Sequence, residues 1–196
     1  MPWPPHTLEQ FGTVARGDVD GGGYYGPYNG LLGELFPGRS HFMVVPQYKR
    51  PRFPQFVDFT TIFIVQHNKH PVFFIEIKPS SHVDTIANRA AADDQMRERF
   101  ESFAEQVSID TLYGISALGS CVCVYSYDRA TRRIVPAAIE KDASRVNDRA
   151  PAKWWGLDIL EDDGEAHLRQ VTTHVHQMCS TLQTHGQGSW CHTLRL

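Results

Sequence analysis

The chain lacks long apolar runs, a cysteine framework and an excess of basic charge. No stretch approaches the roughly 18 consecutive apolar residues of a membrane span, and MPWPPHTLEQ does not resemble a secretory leader. We therefore expect no membrane association. The cysteines form no CxxC pair and suggest buried, reduced thiols: Cys121, Cys123, Cys179 and Cys191. Such thiols are typical of an intracellular protein, cytoplasmic or nuclear.

The net charge of −3 is unlike that of most proteins that bind nucleic acid, because neutralising phosphates requires clustered Lys and Arg. Basic residues do cluster locally: Lys49, Arg50, Arg52, Arg97, Arg99, Arg129, Arg132 and Arg133. Each cluster alone is equally consistent with an ordinary solvated surface. Charge therefore neither identifies nor excludes a nucleic-acid partner.

The length and composition predict one domain. A chain of 196 residues with 41% hydrophobic content can bury a single well-filled core. Residues 1–29 are rich in Pro, Gly and Tyr, which predicts an irregular arm or long loop. We expect the domain to span residues 30–184, followed by a flexible tail over residues 185–196.

Local patterns predict an α/β fold. Dense β-branched and aromatic residues predict strands at 41–48, 56–66, 72–78, 112–117, 121–127 and 133–139. Apolar residues at helical spacing predict helices at 30–35, 84–107 and 165–184, with Asp84 as the N-cap of the second. The second and third strands should form an antiparallel hairpin. The element order predicts a mixed central sheet flanked by helices.

Three charged residues interrupt two predicted strands that are otherwise apolar. Glu76 and Lys78 lie in FFIEIKP, and they share one face because side chains alternate along a strand. Asp58, in FVDF, begins the preceding strand and belongs to the same end of the hairpin. Buried charges are costly unless they are paired or bind a metal. The pattern therefore suggests a site at this end of the sheet.

These residue types suit phosphodiester hydrolysis. Mg²⁺ is usually held by one or two carboxylates, water and substrate phosphate, and it acidifies bound water. A nearby lysine can orient that water or stabilise the developing negative charge. The alternative is a structural salt bridge between Lys78 and either Asp58 or Glu76, since the three-residue pattern is common by chance.

With Glu34 in the first predicted helix and Gln95 in the long one, the pattern resembles the PD-(D/E)XK nuclease superfamily. The resemblance covers residues 30–127, and the segments FIEIKP, DDQMRERF and GISALGSCVCVYSYD are also similar to a fungal group of that superfamily. Two positions depart from the family pattern. Val57 stands where the family name has Pro, and Arg99 stands where one branch has Tyr.

The resemblance implies a restriction-endonuclease-like core, built from a helix, three antiparallel strands, a helix and a further strand. It implies Mg²⁺ or Mn²⁺ as cofactor and a lysine that positions the attacking water. Metal binding would fall to Asp58, Glu76, the Ile77 carbonyl and Glu34. The catalytic residues would be Asp58, Glu76, Lys78 and Gln95.

Our leading expectation is a metal-dependent nuclease, with DNA favoured over RNA because most members of the superfamily act on DNA. Two other interpretations stay open. A non-catalytic module of the same fold would bind nucleic acid or a protein and keep the three charges as a salt bridge. A small α/β protein with no nucleic-acid role would agree with the acidic net charge.

Overall fold

The structure is a computed structural model that describes residues 3–14, 21–49, 60–145 and 147–186. Asp58 lies outside the described residues, as does most of the predicted tail. None of the helices in these ranges combines the length and apolar character needed to cross a bilayer.

The described ranges contain helices, strands and short 3₁₀ turns. The helices are α1 (Pro5–Gly12), α2 (Tyr25–Leu35), α3 (Ile86–Phe103) and α4 (Asp162–Gly186). The strands are β1 (Phe42–Lys49), β2 (Thr60–His67), β3 (His70–Lys78), β4 (Thr111–Leu118), β5 (Cys121–Asp128), β6 (Arg133–Val135) and β7 (Leu157–Asp158). The 3₁₀ turns are Gly22–Tyr24, Gly38–Ser40, Ser80–Asp84 and Ala152–Trp155.

One mixed sheet organises the chain. Its strands follow the order β1-β2-β3-β4-β5-β6, and β7 pairs with the part of β5 that β6 does not cover. Strands β3 and β4 are parallel, and all other described neighbours are antiparallel. A parallel pair needs a long crossover, which α3 supplies. The predicted α/β class, with a mixed sheet flanked by helices, is therefore confirmed.

The predicted hairpin of β2 and β3 is also confirmed. Its turn consists of Asn68 and Lys69, whose φ angles are 51° and 69°. Positive φ at both central residues is typical of the tight turns whose twist matches that of paired strands. The turn is shorter than the predicted five-residue loop, and β3 consequently begins at His70.

Helices cover both faces of the sheet. On β3 the Phe74 ring lies 4.9 Å from that of Phe100 in α3. The neighbouring Phe73 faces the other way, 5.1 Å from Phe36 at the end of α2. Helix α4 lies on this second face, where the His174 ring nitrogen is 2.9 Å from the Tyr113 hydroxyl. Helix α3 therefore covers one face, and α2 and α4 cover the other.

The N-terminal segment corrects the expectation of an irregular arm over residues 1–29. Pro5 starts α1, where a missing N–H costs nothing. Trp3 and Phe11 are buried, and the Trp3 indole donates a 2.6 Å hydrogen bond to the Ile159 carbonyl. Helix α2 also begins earlier than predicted, at Tyr25. Local composition indicated turns, but burial of these aromatic residues against the core favours helices.

Two element boundaries differ from the predictions for local reasons, and one short strand was not predicted. Thr85, not Asp84, caps α3, because its hydroxyl accepts a 3.3 Å hydrogen bond from the Asn88 N–H. Strand β6 ends at Val135, before Pro136, which has no N–H to continue the ladder. The two-residue strand β7 is too short to produce a sequence pattern.

The cysteines in the described ranges are free thiols, as expected: Cys121, Cys123 and Cys179. Burial raises the pKa of Cys123 to about 12, and it raises the pKa of Cys179 to about 12 as well. Both thiols therefore stay protonated and unreactive near neutral pH. Cys191 lies outside the described residues.

Candidate active site

The candidate site is built on β3, the central strand between antiparallel β2 and parallel β4. Every residue of β3 after His70 is buried, which explains its apolar sequence. Side chains alternate along the strand, and Phe74 faces α3. Glu76 and Lys78 therefore also face α3, and each is only 2% exposed. The predicted sharing of one face by these two charges agrees with the structure.

Arg99 of α3 lies opposite Glu76. Its Nε is 3.8 Å from the Glu76 Oε2, and the Arg99 side chain is 14% exposed. This distance allows an ion pair but exceeds the 2.7–2.9 Å of a charge-assisted hydrogen bond. The guanidinium therefore compensates the charge of the buried carboxylate at ion-pair distance.

Gln95 lies one helical turn before Arg99 on the same face of α3. Its Oε1 is buried and has no hydrogen-bond partner among the residues that the structure describes. A buried amide oxygen without a partner carries a desolvation cost, so most such groups in folded proteins are bonded. Gln95 therefore offers a polar atom beside the Arg99 and Glu76 pair.

Two glycines hold the backbone around Lys78. Gly119, with φ of 68°, donates its N–H to the Lys78 carbonyl at 3.0 Å. Gly21, with φ of 75°, approaches so closely that a β-carbon there would lie 3.0 Å from the Lys78 carbonyl carbon. Both positions need a left-handed backbone, which glycine adopts without strain. The end of β3 is consequently enclosed by the β4–β5 turn and by the segment that leads into α2.

The first residues of β2 approach the same end of β3. Thr61 is in register with Ile77, which is buried and pairs with Ala117 of β4 on its other side. Asp58 precedes the first described residue of β2 by two positions and lies outside the described residues. Within the ranges that are described, no group of three or more His, Cys, Asp and Glu side chains is arranged to hold a metal. The predicted ligand set therefore depends on Asp58.

No family model matches this chain, and no curated protein or solved structure gives a significant match. The resemblance in the sequence thus stays a prediction.

Glu34 is not brought to this site. Its Oε1 accepts hydrogen bonds from the His6 ring at 2.6 Å and the Thr7 hydroxyl at 3.2 Å, both on α1. The N-terminal end of α2 meets the Lys78 end of β3, whereas Glu34 lies nine residues later, about 14 Å along the helix at 1.5 Å per residue. Its observed role is to join α1 to α2.

The sequence did not predict three features of the site: the Glu76–Arg99 ion pair and the contacts of Gly21 and Gly119 with Lys78. The spacing of Gln95 and Arg99 showed a shared helix face but not which strand that face meets. The three glycines at 21–23 indicated only a turn. Knowledge of how α3 and the α2 segment pack on β3 was needed to find these contacts.

A cleft of about 180 Å³ lies at the opposite end of the sheet, between the β1–β2 edge and α4. Three imidazoles line it, from His41, His67 and His176. The His176 ring donates a hydrogen bond to the Leu35 carbonyl at 2.8 Å. Burial, together with the other two histidines, lowers the pKa of His67 below the ordinary value of 6.5. This cleft lies away from Glu76.

Proposed function

We propose that this protein is a divalent-metal-dependent nuclease that hydrolyses phosphodiester bonds, with DNA favoured over RNA by analogy to the resembled superfamily. One observation carries the proposal. Glu76 and Lys78, each 2% exposed, share one face at the end of a central strand that is otherwise apolar. Opposite charges in such a place are costly, and a catalytic site gives a physical reason to keep them.

The topology supports a restriction-endonuclease-like core. Helix α2 precedes the antiparallel strands β1, β2 and β3, α3 follows, and β4 returns parallel to β3. This is the order of elements that the resemblance implies. The charged end of β3 lies beside the start of β2, the strand that Asp58 precedes.

The chemistry of the donor set fits Mg²⁺ or Mn²⁺. Hard cations prefer oxygen ligands, and Mg²⁺ needs only one or two carboxylates because water and substrate phosphate complete its coordination. Glu76 would supply one carboxylate and Asp58 the other, with the Ile77 carbonyl as a third oxygen.

When bound, the metal ion would acidify water and neutralise charge on the phosphate. The Lys78 ammonium would donate to the attacking water and orient it toward phosphorus, or offset the negative charge that develops there. Burial of Lys78 among apolar side chains would strengthen that interaction. The Gln95 amide would provide a further polar contact for water or phosphate.

The test is cleavage of labelled single- and double-stranded DNA and RNA in Mg²⁺, Mn²⁺ or EDTA. We expect metal-dependent cleavage by the wild type and its loss in Asp58→Asn, Glu76→Gln and Lys78→Ala. Glu105→Gln and Lys141→Ala are matched controls at exposed positions and should retain activity. If the folded wild type cleaves none of these substrates, the nuclease proposal fails.

The ion pair itself favours one rival, a non-catalytic module of the same fold. In that case Arg99 would neutralise Glu76 permanently, and the protein would bind nucleic acid or another protein. Binding of labelled DNA in EDTA, with no cleavage in either metal and no effect of Glu76→Gln, would support this rival.

A further inference from the structure

The cleft at the opposite end of the sheet, which we call the histidine cleft, gathers three imidazoles. The described residues that line it include no carboxylate: they are Ser40, His41, Phe42, His67, His176, Cys179 and Ser180. His67 is the most buried of the imidazoles, at 4% exposed, whereas His41 is exposed at the rim. Because the charge of imidazole changes near neutral pH, the cleft can gain up to three positive charges as the pH falls.

The elements around the histidine cleft carry mostly cationic or neutral groups. Besides the three imidazoles, their titratable and charged groups near this end of the sheet are Arg39, Lys69, His70, Cys179 and Glu34. The Glu34 carboxylate is bonded to His6 and Thr7 of α1. The acidic residues of α4 lie in its first turn, about 16 Å along the helix from His176 at 1.5 Å per residue. Positive charge in the cleft therefore favours an anion from solution.

His176 can take up a proton and keep its present contacts. Its Nε2 donates to the Leu35 carbonyl at 2.8 Å, so the neutral ring carries its proton on that nitrogen. A second proton at Nδ1 leaves this bond in place. The ring centroid also lies 4.5 Å from that of Phe42 and 5.6 Å from that of Phe36, and aromatic rings within about 6 Å attract a cation. An imidazolium at His176 is thus compatible with its surroundings.

The arrangement of the imidazoles suits an anion better than a metal ion. Zinc requires ligand nitrogens that converge at about 2.0–2.1 Å on one point, and the described residues contain no such group of three. An oxyanion presents several oxygens, so donors that do not converge can each bind a different one. The cleft volume of about 180 Å³ is below the roughly 300–1,000 Å³ of pockets for drug-sized ligands. A single phosphate- or sulfate-sized group matches this volume.

We propose that the histidine cleft binds a small tetrahedral oxyanion of the phosphate or sulfate type, with an affinity that increases as the pH falls. The inference does not rest on the proposed nuclease function. Without an anion, burial and the other two histidines lower the pKa of His67. A bound anion favours the charged imidazoles, and charged imidazoles bind the anion more tightly, so binding and protonation reinforce each other.

Calorimetric titration with sulfate tests this coupling, because sulfate keeps its two charges from pH 5.5 to pH 7.5. At constant ionic strength in chloride, we expect the wild type to bind sulfate at least about tenfold more tightly at pH 5.5, as uptake of one linked proton allows. His67→Gln and His176→Gln should each weaken binding at pH 5.5 by about tenfold, since each removes a charged donor. His167→Gln changes an exposed histidine of α4 outside this cleft and should bind sulfate as the wild type does.

A rim variant keeps the test decisive if His67→Gln and His176→Gln fail to fold. His41 is exposed and has a φ of 63°, a conformation that asparagine tolerates, so His41→Asn should fold and still weaken sulfate binding at pH 5.5. Methyl phosphate distinguishes the sources of the anion. Equal binding of methyl phosphate and inorganic phosphate would assign the cleft to the phosphate end of an ester, and binding of inorganic phosphate alone would assign it to the free ion.

Two results would overturn the inference. Equal sulfate affinities in the wild type and in every folded variant of the cleft would indicate an adventitious ion only. A wild-type affinity that is the same at both pH values would exclude the coupling to protonation. Because the cleft lies away from Glu76, either result leaves the nuclease proposal to its own test.

Discussion

Two buried carboxylates lie between α3 and the sheet, Glu76 on β3 and Asp93 on α3, and their surroundings differ. Asp93 accepts hydrogen bonds from Arg97 Nε at 2.9 Å, Arg97 Nη2 at 2.8 Å and the Tyr125 hydroxyl at 3.0 Å. Arg97 also donates to the Pro136 carbonyl at 3.0 Å. Glu76 is equally buried, but its arginine stands 3.8 Å away.

The difference separates a structural network from a candidate site. Short, multiple bonds to Asp93 tie α3 to β5 and to the chain after β6, so any exchange of partners there would break several contacts at once. The looser Glu76–Arg99 contact can open at smaller cost. Burial of the carboxylate therefore does not distinguish the two regions, whereas the distance between each carboxylate and its arginine does.

The largest effect that we expect is on catalysis. Its absence would contradict the distinction drawn between Glu76 and Asp93. Glu76→Gln should lower cleavage more than about 100-fold, since even outer-shell partners of metal ligands contribute 10- to 100-fold. Because glutamine keeps the size and shape of the side chain, the free energy of unfolding of Glu76→Gln should fall by less than the about 3 kcal/mol expected for Asp93→Ala. Single-turnover cleavage and urea unfolding measure the two quantities. A large loss of stability would place Glu76 with Asp93 as a structural residue.

The reverse pattern is expected at Asp93. Asp93→Ala should lower the free energy of unfolding by about 3 kcal/mol, because it leaves the Arg97 guanidinium without its carboxylate in a mostly buried position. Cleavage per folded molecule should stay near the wild-type rate. The midpoint of urea unfolding checks the first expectation. A change below about 0.5 kcal/mol, the range of ordinary surface substitutions, would contradict it.

Gly114 sharpens the comparison by disturbing the packing between β3, β4 and α3. A β-carbon there would lie 2.5 Å from the Phe74 ring and 2.8 Å from the Met96 methyl. Gly114→Ala should therefore destabilise the protein by about 1–3 kcal/mol, as overpacked cores do. Thermal unfolding of this variant, with exposed Gly33→Ala as control, measures the effect. An unchanged melting temperature would show that α3 can shift to accommodate the added methyl group without a measurable loss of stability.

The smallest effect concerns the histidine cleft at the other end of the sheet. The folded state lowers the pKa of His67 from 6.5, so the unfolded chain binds more protons as the pH falls. Stability from this group is present above pH 6.5 and is lost below it. We expect the free energy of unfolding to fall between pH 7 and pH 5, and to fall less in His67→Gln. Equal slopes for both proteins would show that His67 does not contribute.

Much of the fold follows from sequence patterns, most clearly where the pattern is long. The apolar runs of β3 and β4 predicted buried strands because strands covered on both faces have no polar alternation. The stripe of Met96, Phe100 and Phe103 predicted α3 by its spacing. The helix at Pro5–Gly12 was missed, since its burial depends on Trp3 reaching the Ile159 carbonyl 156 residues away. No local pattern contains such a contact.

The sequence by itself determined which charges interrupt apolar strands and that Glu76 and Lys78 share one face, because side-chain alternation is a property of the backbone. Only the tertiary structure decided what faces them. Packing of α3 brought Arg99 to Glu76, and the direction of α2 placed Glu34 with α1. These contacts join residues far apart in the chain, and their distances depend on how whole elements pack.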